Sequence, residues 1–346
     1  MLNALAISLS LLLAAAPSPS PAAAPAEVAF PTLVYQGEAG LGKGRHIVFI
    51  ASDHEYKSEE SMPALAKILA KRHGFKCTVL FGLDQKTGAI VPGESSFIPG
   101  TEALAHADLL VLYTRFQELP AEQMRPIVDY LKRGGPVLGL RTSTHAFRFP
   151  AGSEFAKFSF DYAGADFTGG FGRQVLGETW AGHNGNNHVE SVRLVATPAL
   201  ASHPILSGVK DAWSELSSYK AHPPADCQVL MMAQPLTSMD PHSAPHPKCP
   251  PMPAAWTRLY RLPDGQEGRA FTITQGGPAD LNNDGFRRLM VNACLWTAGL
   301  EKQIRPDLDT ALVGPYRPTW TGPLTRAPQV KPQELAPWDS PVLPGR

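Results

Sequence analysis

The sequence is short of charge, of aromatic residues and of long apolar runs. Charged residues make up 18% of the 346, below the usual quarter, and 31 basic residues cancel 31 acidic ones. No basic stripe is interleaved with aromatics, which argues against nucleic acid as a main partner. The longest apolar run, Leu2 to Ala16, is too short for a comfortable membrane span, and no span is expected beyond it. Cysteines are few. Cys77 and Cys294 sit in strand and helix patterns where small buried thiols are common. Cys227 and Cys249 flank a Pro-rich segment and are either a disulfide clip or two unrelated thiols. What the chain has in quantity is proline, 34 residues, and glycine, 30, which imply many loops.

The apolar run is followed by Ala24-Pro25-Ala26, a small-x-small cleavage pattern before Glu27, so residues 1–26 read as an export signal. That places the mature chain in the periplasm or outside the cell. No Lys or Arg precedes the run, so an uncleaved inner-membrane anchor is the alternative; no Cys follows it for lipid attachment. Residues 27–44 read as a Pro/Gly-rich linker. Gly37, Gly42 and Lys43 have phosphate-loop spacing, but Gly44 replaces the Ser/Thr and the segment precedes a strand instead of following one. Residues 45–303, roughly 260, are enough for one domain with a full core, and 304–346 read as an extended Pro-rich arm.

Within the domain, strands are expected at His46–Ala51, Cys77–Phe81, Leu109–Tyr113 and Pro136–Leu140. Between them, Ser58 or Ser61 caps a helix that Gly74 stops. Pro120 opens a second helix, which Pro126 should kink or shift and Gly134-Gly135 ends. Alternating strands and helices imply an α/β fold with a mostly parallel sheet covered on both faces. The second half is less regular. Strands are expected at Gln174–Trp180, Val189–Val195, Val229–Ala233, Trp256–Arg261 and Ala270–Thr274, then a helix over Asp284–Ala298 with Gly299 behind it.

Ligands of open parallel sheets bind beyond the carboxyl ends of the strands. At those positions stand Asp53-His54-Glu55-Tyr56, Arg115, Arg141-Thr142-Ser143-Thr144-His145 and Gln275, with His183 and His188 in a Gly/Asn-rich loop. Such a set suits a pocket for a polar ligand.

Four segments carry a family resemblance: Asp53-His54-Glu55-Tyr56, the run from Gly139 to Phe147, Gly170 to Gly177, and Asn282 to Trp296. Together they resemble ThuA-like (trehalose utilisation) domains over about residues 45–300. The resemblance implies a flavodoxin-like, class I glutamine amidotransferase-like fold and a link to disaccharide or keto-sugar metabolism. It also marks departures. The amidotransferase nucleophile would be a Cys at the turn after the fourth strand, where this chain reads Leu140-Arg141-Thr142-Ser143-Thr144, so glutaminase activity is not expected. Many relatives carry His after that strand and near the last strand, where this chain has Arg141 and Gln275.

The expectation is an enzyme acting on a sugar, as an isomerase, lyase or hydrolase. Its catalytic candidates are His54, Glu55 and His145, with His54 as general acid/base. Asp53, Tyr56, Arg115, Arg141, Ser143 and Gln275 are the substrate-binding candidates. Each has a plainer reading: His54 as a loop histidine, His145 as structural, the arginines as salt-bridge partners. Ser143 is a poor nucleophile, because groups two residues apart on a tight turn rarely face one atom. No cofactor is fixed by the motifs; His54, His183 and His188 are the candidates for a zinc-type divalent ion. Asp280-x-Asn282-x-Asp284-Gly285 mimics the start of an EF-hand loop but lacks its closing Glu, so helix capping explains it better. His222, His242 and His246 read as exposed loop residues. The rival functions are a non-catalytic sugar-binding module and a structural partner of another exported enzyme. Oligomeric state is left open.

Overall fold

The computed structural model describes residues 30–92, 96–319 and 330–340; the signal read at 1–26 lies outside them. Among the described residues no helix is long and apolar enough to cross a membrane.

Short apolar runs become strands where both faces are covered. In chain order the elements are β1 (Leu33–Gln36), β2 (His46–Ser52), α1 (Ser58–His73), β3 (Lys76–Phe81), β4 (Leu109–Thr114), α2 (Ala121–Lys132) and β5 (Val137–Leu140). There follow β6 (His183–Asn184), β7 (Val192–Ala196), β8 (Trp213–Ser214), β9 (Ser218–Tyr219), β10 (Gln228–Pro235), β11 (Met252–Arg261), β12 (Glu267–Ile273) and α3 (Asp284–Thr297). Ten strands form one sheet in the order β1-β3-β2-β4-β5-β12-β11-β10-β7-β8, and β6 pairs with β9 apart from it. Strands β3, β2, β4, β5 and β12 run parallel. Helices α1 and α3 cover one face of the sheet and α2 the other. Burying Met124, Ile127 and Leu131 of α2 stabilises this layer by about 1.5–3 kcal/mol per side chain. The chain leaves β2 for β3 on one side and returns to β4 on the other, so the strand order reverses at β2, where open α/β sheets hold their ligands.

Several expectations change. The stretch read as a linker contributes β1, antiparallel to β3, with Leu33 and Tyr35 facing inward and Val34 and Gln36 outward. The second half adds β11, β10, β7 and β8 as an antiparallel wing, so the parallel pattern stops at β12. Gln174–Trp180 is not a strand: Gly172–Leu176 is a wide helical turn closed by Gly177 at φ 87°. Pro126 sits inside α2 without ending it, and the helix runs on to Lys132. Helix α1 starts after Lys57 at φ 55°, not on a serine cap; Ser58 instead accepts the Asp53 amide. All four cysteines are free. Cys227 packs beside Gly177 and Arg258, whereas Cys249 faces Glu190. Of the acidic residues before α3, Asp280 accepts the Gly276 and Gly277 amides, while α3 itself is capped by Asn283, which accepts the Phe286 amide. The C-terminal arm is partly built in, with Leu335 buried and accepting the Tyr35 hydroxyl.

Candidate functional site

Three loops from the parallel core and the loop after β6 meet above the β2 switch point. Among the described residues six non-glycine residues have positive φ. Four of them lie in these loops: Lys57 after β2, Phe116 after β4, Arg141 after β5, and His188 after β6. Each such conformation costs on the order of 1–3 kcal/mol, and backbone strain of this kind concentrates at functional sites.

Buried groups form the floor. Asp53 is fully enclosed; its carboxylate accepts the Tyr56 amide at 2.5 Å, the Glu55 amide at 3.2 Å and the Thr142 hydroxyl at 3.4 Å. Burial, partly offset by those amides, raises its pKa to about 6. Arg141 stands at the turn after β5 with φ 38°. Its guanidinium lies between the rings of Tyr56 and Tyr219, 4.4 Å from each. It donates to the Ser217 and Thr274 carbonyls at 2.9 Å, to the Tyr56 hydroxyl at 3.3 Å and to Asn187 Oδ1 at 3.2 Å. Burial disfavours its charge, but Tyr219, Tyr56 and Tyr113 outweigh that and keep it protonated. Asn187 closes the network by donating to the Tyr56 hydroxyl at 2.9 Å. The Gly170–Gly177 segment supports the turn from behind. A Cβ on Gly172 would stand 2.1 Å from the Thr144 carbonyl oxygen, so glycine is required there.

Half-exposed groups form the mouth. Glu55 and Arg115 pair at 2.5 Å. Around them gather His54, Phe116, Phe160, Trp180 and His183. His145 lies beneath, with ring centroids 5.1 Å from Phe116 and 5.3 Å from Trp180, and Nδ1 bonded to the Thr144 hydroxyl at 3.1 Å. Burial, then the nearby Arg115 and Arg141 cations, holds its pKa well below the ordinary value. Burial and Arg141 push His183 down to about 4, and burial and Arg115 also lower His54. The imidazoles are therefore neutral near pH 7, able to accept or donate a proton.

The structure thus brings His54, Glu55, Tyr56, Arg115, Arg141, His145 and His183 to one place, with Asp53 below. Ser143 is buried and its hydroxyl is engaged by the Leu112 carbonyl at 2.6 Å, so it serves the fold. Gln275 is also buried and accepts the Thr274 hydroxyl. Arg141 spends its donors on protein groups and acts on the mouth through Tyr56 and Asn187. The donor atoms of His54, His183 and His188 do not form a close metal-ligand group; among the described residues that condition is met only by Glu190, His246 and Cys249. His246, read as an exposed loop residue, is half-buried against Glu190. Sequence reasoning missed Asn187, Trp180, Tyr219 and Phe116 as site residues. For Asn187 the signal was its place between His183 and His188; the aromatics had none beyond adjacency to His145 in space. Two shallow grooves of about 400 and 420 Å3 elsewhere contain no histidine in their walls.

A family model described as ThuA, trehalose utilisation, matches residues 46–297. No protein of curated function matches the chain. Among solved structures, a putative ThuA-like protein from Bacteroides uniformis is 14% identical, covering 80% of this chain and 100% of that one, with a TM-score of 0.48. A second, from Parabacteroides merdae, is 14% identical over 73% of this chain and 90% of that one, with a TM-score of 0.43. The match over residues 46–297, most of the chain, places this protein in the ThuA (trehalose utilisation) family.

Proposed function

We propose that the mouth binds a mono- or disaccharide in oxidised form and moves a proton on it, as in isomerisation or elimination next to a carbonyl. The observation that carries this reading is the convergence of three neutral imidazoles, His54, His145 and His183, with aromatic rings around them. Aromatic rings accept the C–H face of a sugar, while neutral hydrogen-bonding groups meet its hydroxyls. At the mouth, Trp180 Nε1 and Arg115 Nε are buried donors without partners, which favours a ligand rich in acceptors, such as a keto-sugar or a sugar acid. In this reading His54 and His145 exchange the proton, and Glu55 holds Arg115 in place to orient the substrate oxygen. Asp53 fixes the turn that carries them. The mature chain works in the periplasm or outside the cell, a proposal that rests on the 1–26 segment and is tested by whether the exported chain begins at Glu27.

Thermal unfolding with monosaccharides, disaccharides, their keto forms and sugar acids tests the binding. A true ligand at a hundredfold excess over Kd stabilises by about 2.7 kcal/mol. The stabilisation should vanish in Arg115→Ala and persist in His54→Ala, which should lose only turnover, followed by proton exchange with deuterated solvent. Binding without exchange in the wild type would favour the rival reading of a non-catalytic sugar-binding module, which the arginine at the nucleophile turn also supports. No stabilisation by any sugar would sink both.

A further inference from the structure

Away from the mouth, Glu190, His246 and Cys249 bring a carboxylate, an imidazole and a thiol together, with donor atoms all within 4.8 Å of one another. The cluster is built. Glu190 is buried, and Asn186 orients its carboxylate twice, through its amide nitrogen at 2.8 Å and its side-chain amide at 3.2 Å. Gly185, at φ 98°, makes room for it: a Cβ there would lie 2.5 Å from Glu190 Oε2. His246 Nε2 stands 3.4 Å from Glu190 Oε1, and Cys249 follows three residues later on the same turn. We propose that Glu190, His246 and Cys249 form a binding site for a divalent transition metal of zinc type, separate from the mouth.

The donor set chooses the metal. One sulfur, one nitrogen and one oxygen suit a borderline-soft ion, whereas magnesium and calcium take oxygen ligands. Three protein ligands leave a fourth position for water. On binding, the thiol proton of Cys249 goes to solvent. The imidazole proton moves from Nε2 to Nδ1, which gives up the bond it accepts from the Lys248 amide. The ion would join the long connection between β10 and β11 to the segment that carries His183 and Asn187. Asn187 holds Tyr56 and Arg141, so the site would steady one wall of the mouth without touching a ligand there.

The test is a Co2+ titration of the full chain, stripped with chelator and kept reduced. The expected result is one Co2+ per chain with a thiolate-to-cobalt charge-transfer band, one proton released, and displacement by Zn2+. Cys249→Ser should abolish the band, and His246→Ala and Glu190→Gln should each weaken binding by at least about tenfold. Cys227→Ser and His183→Ala should leave the band unchanged. Circular dichroism checks each fold; should Cys249→Ser not fold, the other two ligand variants carry the test. Absence of the band in the wild type, its survival in Cys249→Ser, or its loss in His183→Ala would each overturn the proposal.

Discussion

Glu59 offers a measurement of how strongly this fold holds a buried carboxyl proton. It lies in the first turn of α1, 3% exposed, with Oε2 buried and without a partner. Burial, helped by neighbouring Glu60 and Asp53 and opposed by its own amide and Lys57, raises its pKa from 4.5 to about 8. Between those values the folded chain keeps a proton that the unfolded chain has released. Stability therefore falls as pH rises through that window, by about 1.4 kcal/mol per pH unit from this group. Glu59→Gln removes the titration and keeps the shape. Its stability relative to the wild type should improve by about 2.5 kcal/mol between pH 5 and pH 7, whatever the constant offset from the new amide. Urea unfolding followed by far-UV circular dichroism at several pH values gives the difference directly, provided the urea dependence is unchanged. Parallel curves for variant and wild type would refute the reasoning and mean that Glu59 is ionised, with its charge met by water or a cation.

Asp280 accepts Ser214 Oγ and the Glu215, Gly276 and Gly277 amides; Asp280→Asn turns an NH2 toward donors and should cost about 3–5 kcal/mol in urea unfolding. Ser143→Ala should cost about 1–2 kcal/mol for the orphaned Leu112 carbonyl and leave any sugar stabilisation intact; loss of that stabilisation in a folded variant would return Ser143 to the site. At Arg141 both truncations remove the same bonds, but glycine adopts φ 38° freely. Arg141→Gly should therefore be at least as stable as Arg141→Ala by thermal unfolding, despite glycine's greater unfolded entropy, and the reverse order would show the turn is not strained.

The parallel half of the sheet was legible because strands covered on both faces leave uninterrupted apolar runs. The run from Ile47 to Ala51 has no reading but a buried strand, and Gly74 and Gly134 punctuate the helices where left-handed backbone is needed. The wing was read as strands but not as antiparallel, because strand direction depends on connections that leave no local pattern. At Gln174–Trp180 the adjacent apolar Val175 and Leu176 match a short strand as well as a turn; only the packing of Gly172 against Thr144 decides. The charged half of the site followed from its position after strand ends. The aromatic half did not, since Trp180, Tyr219 and Phe116 look in sequence like core residues. Glu190 is 56 positions from His246, and no spacing rule joins two ligands across a sheet edge.

The turn after β5 keeps a strained backbone at the heart of the site. Amidotransferase-like sheets use this turn to lift a nucleophile above the strand ends. Here the positive φ is present, but the residue is Arg141, and its side chain runs inward between two tyrosines instead of outward to solvent. A guanidinium cannot serve as nucleophile or base, because it stays protonated at any ordinary pH. What it supplies is a fixed charge and a fork of donors that locks Ser217, Thr274, Tyr56 and Asn187, residues drawn from four segments apart in sequence. The same charge lowers the proton affinity of His145 and His183 above it. The strained turn thus positions the walls of the site and keeps its imidazoles neutral.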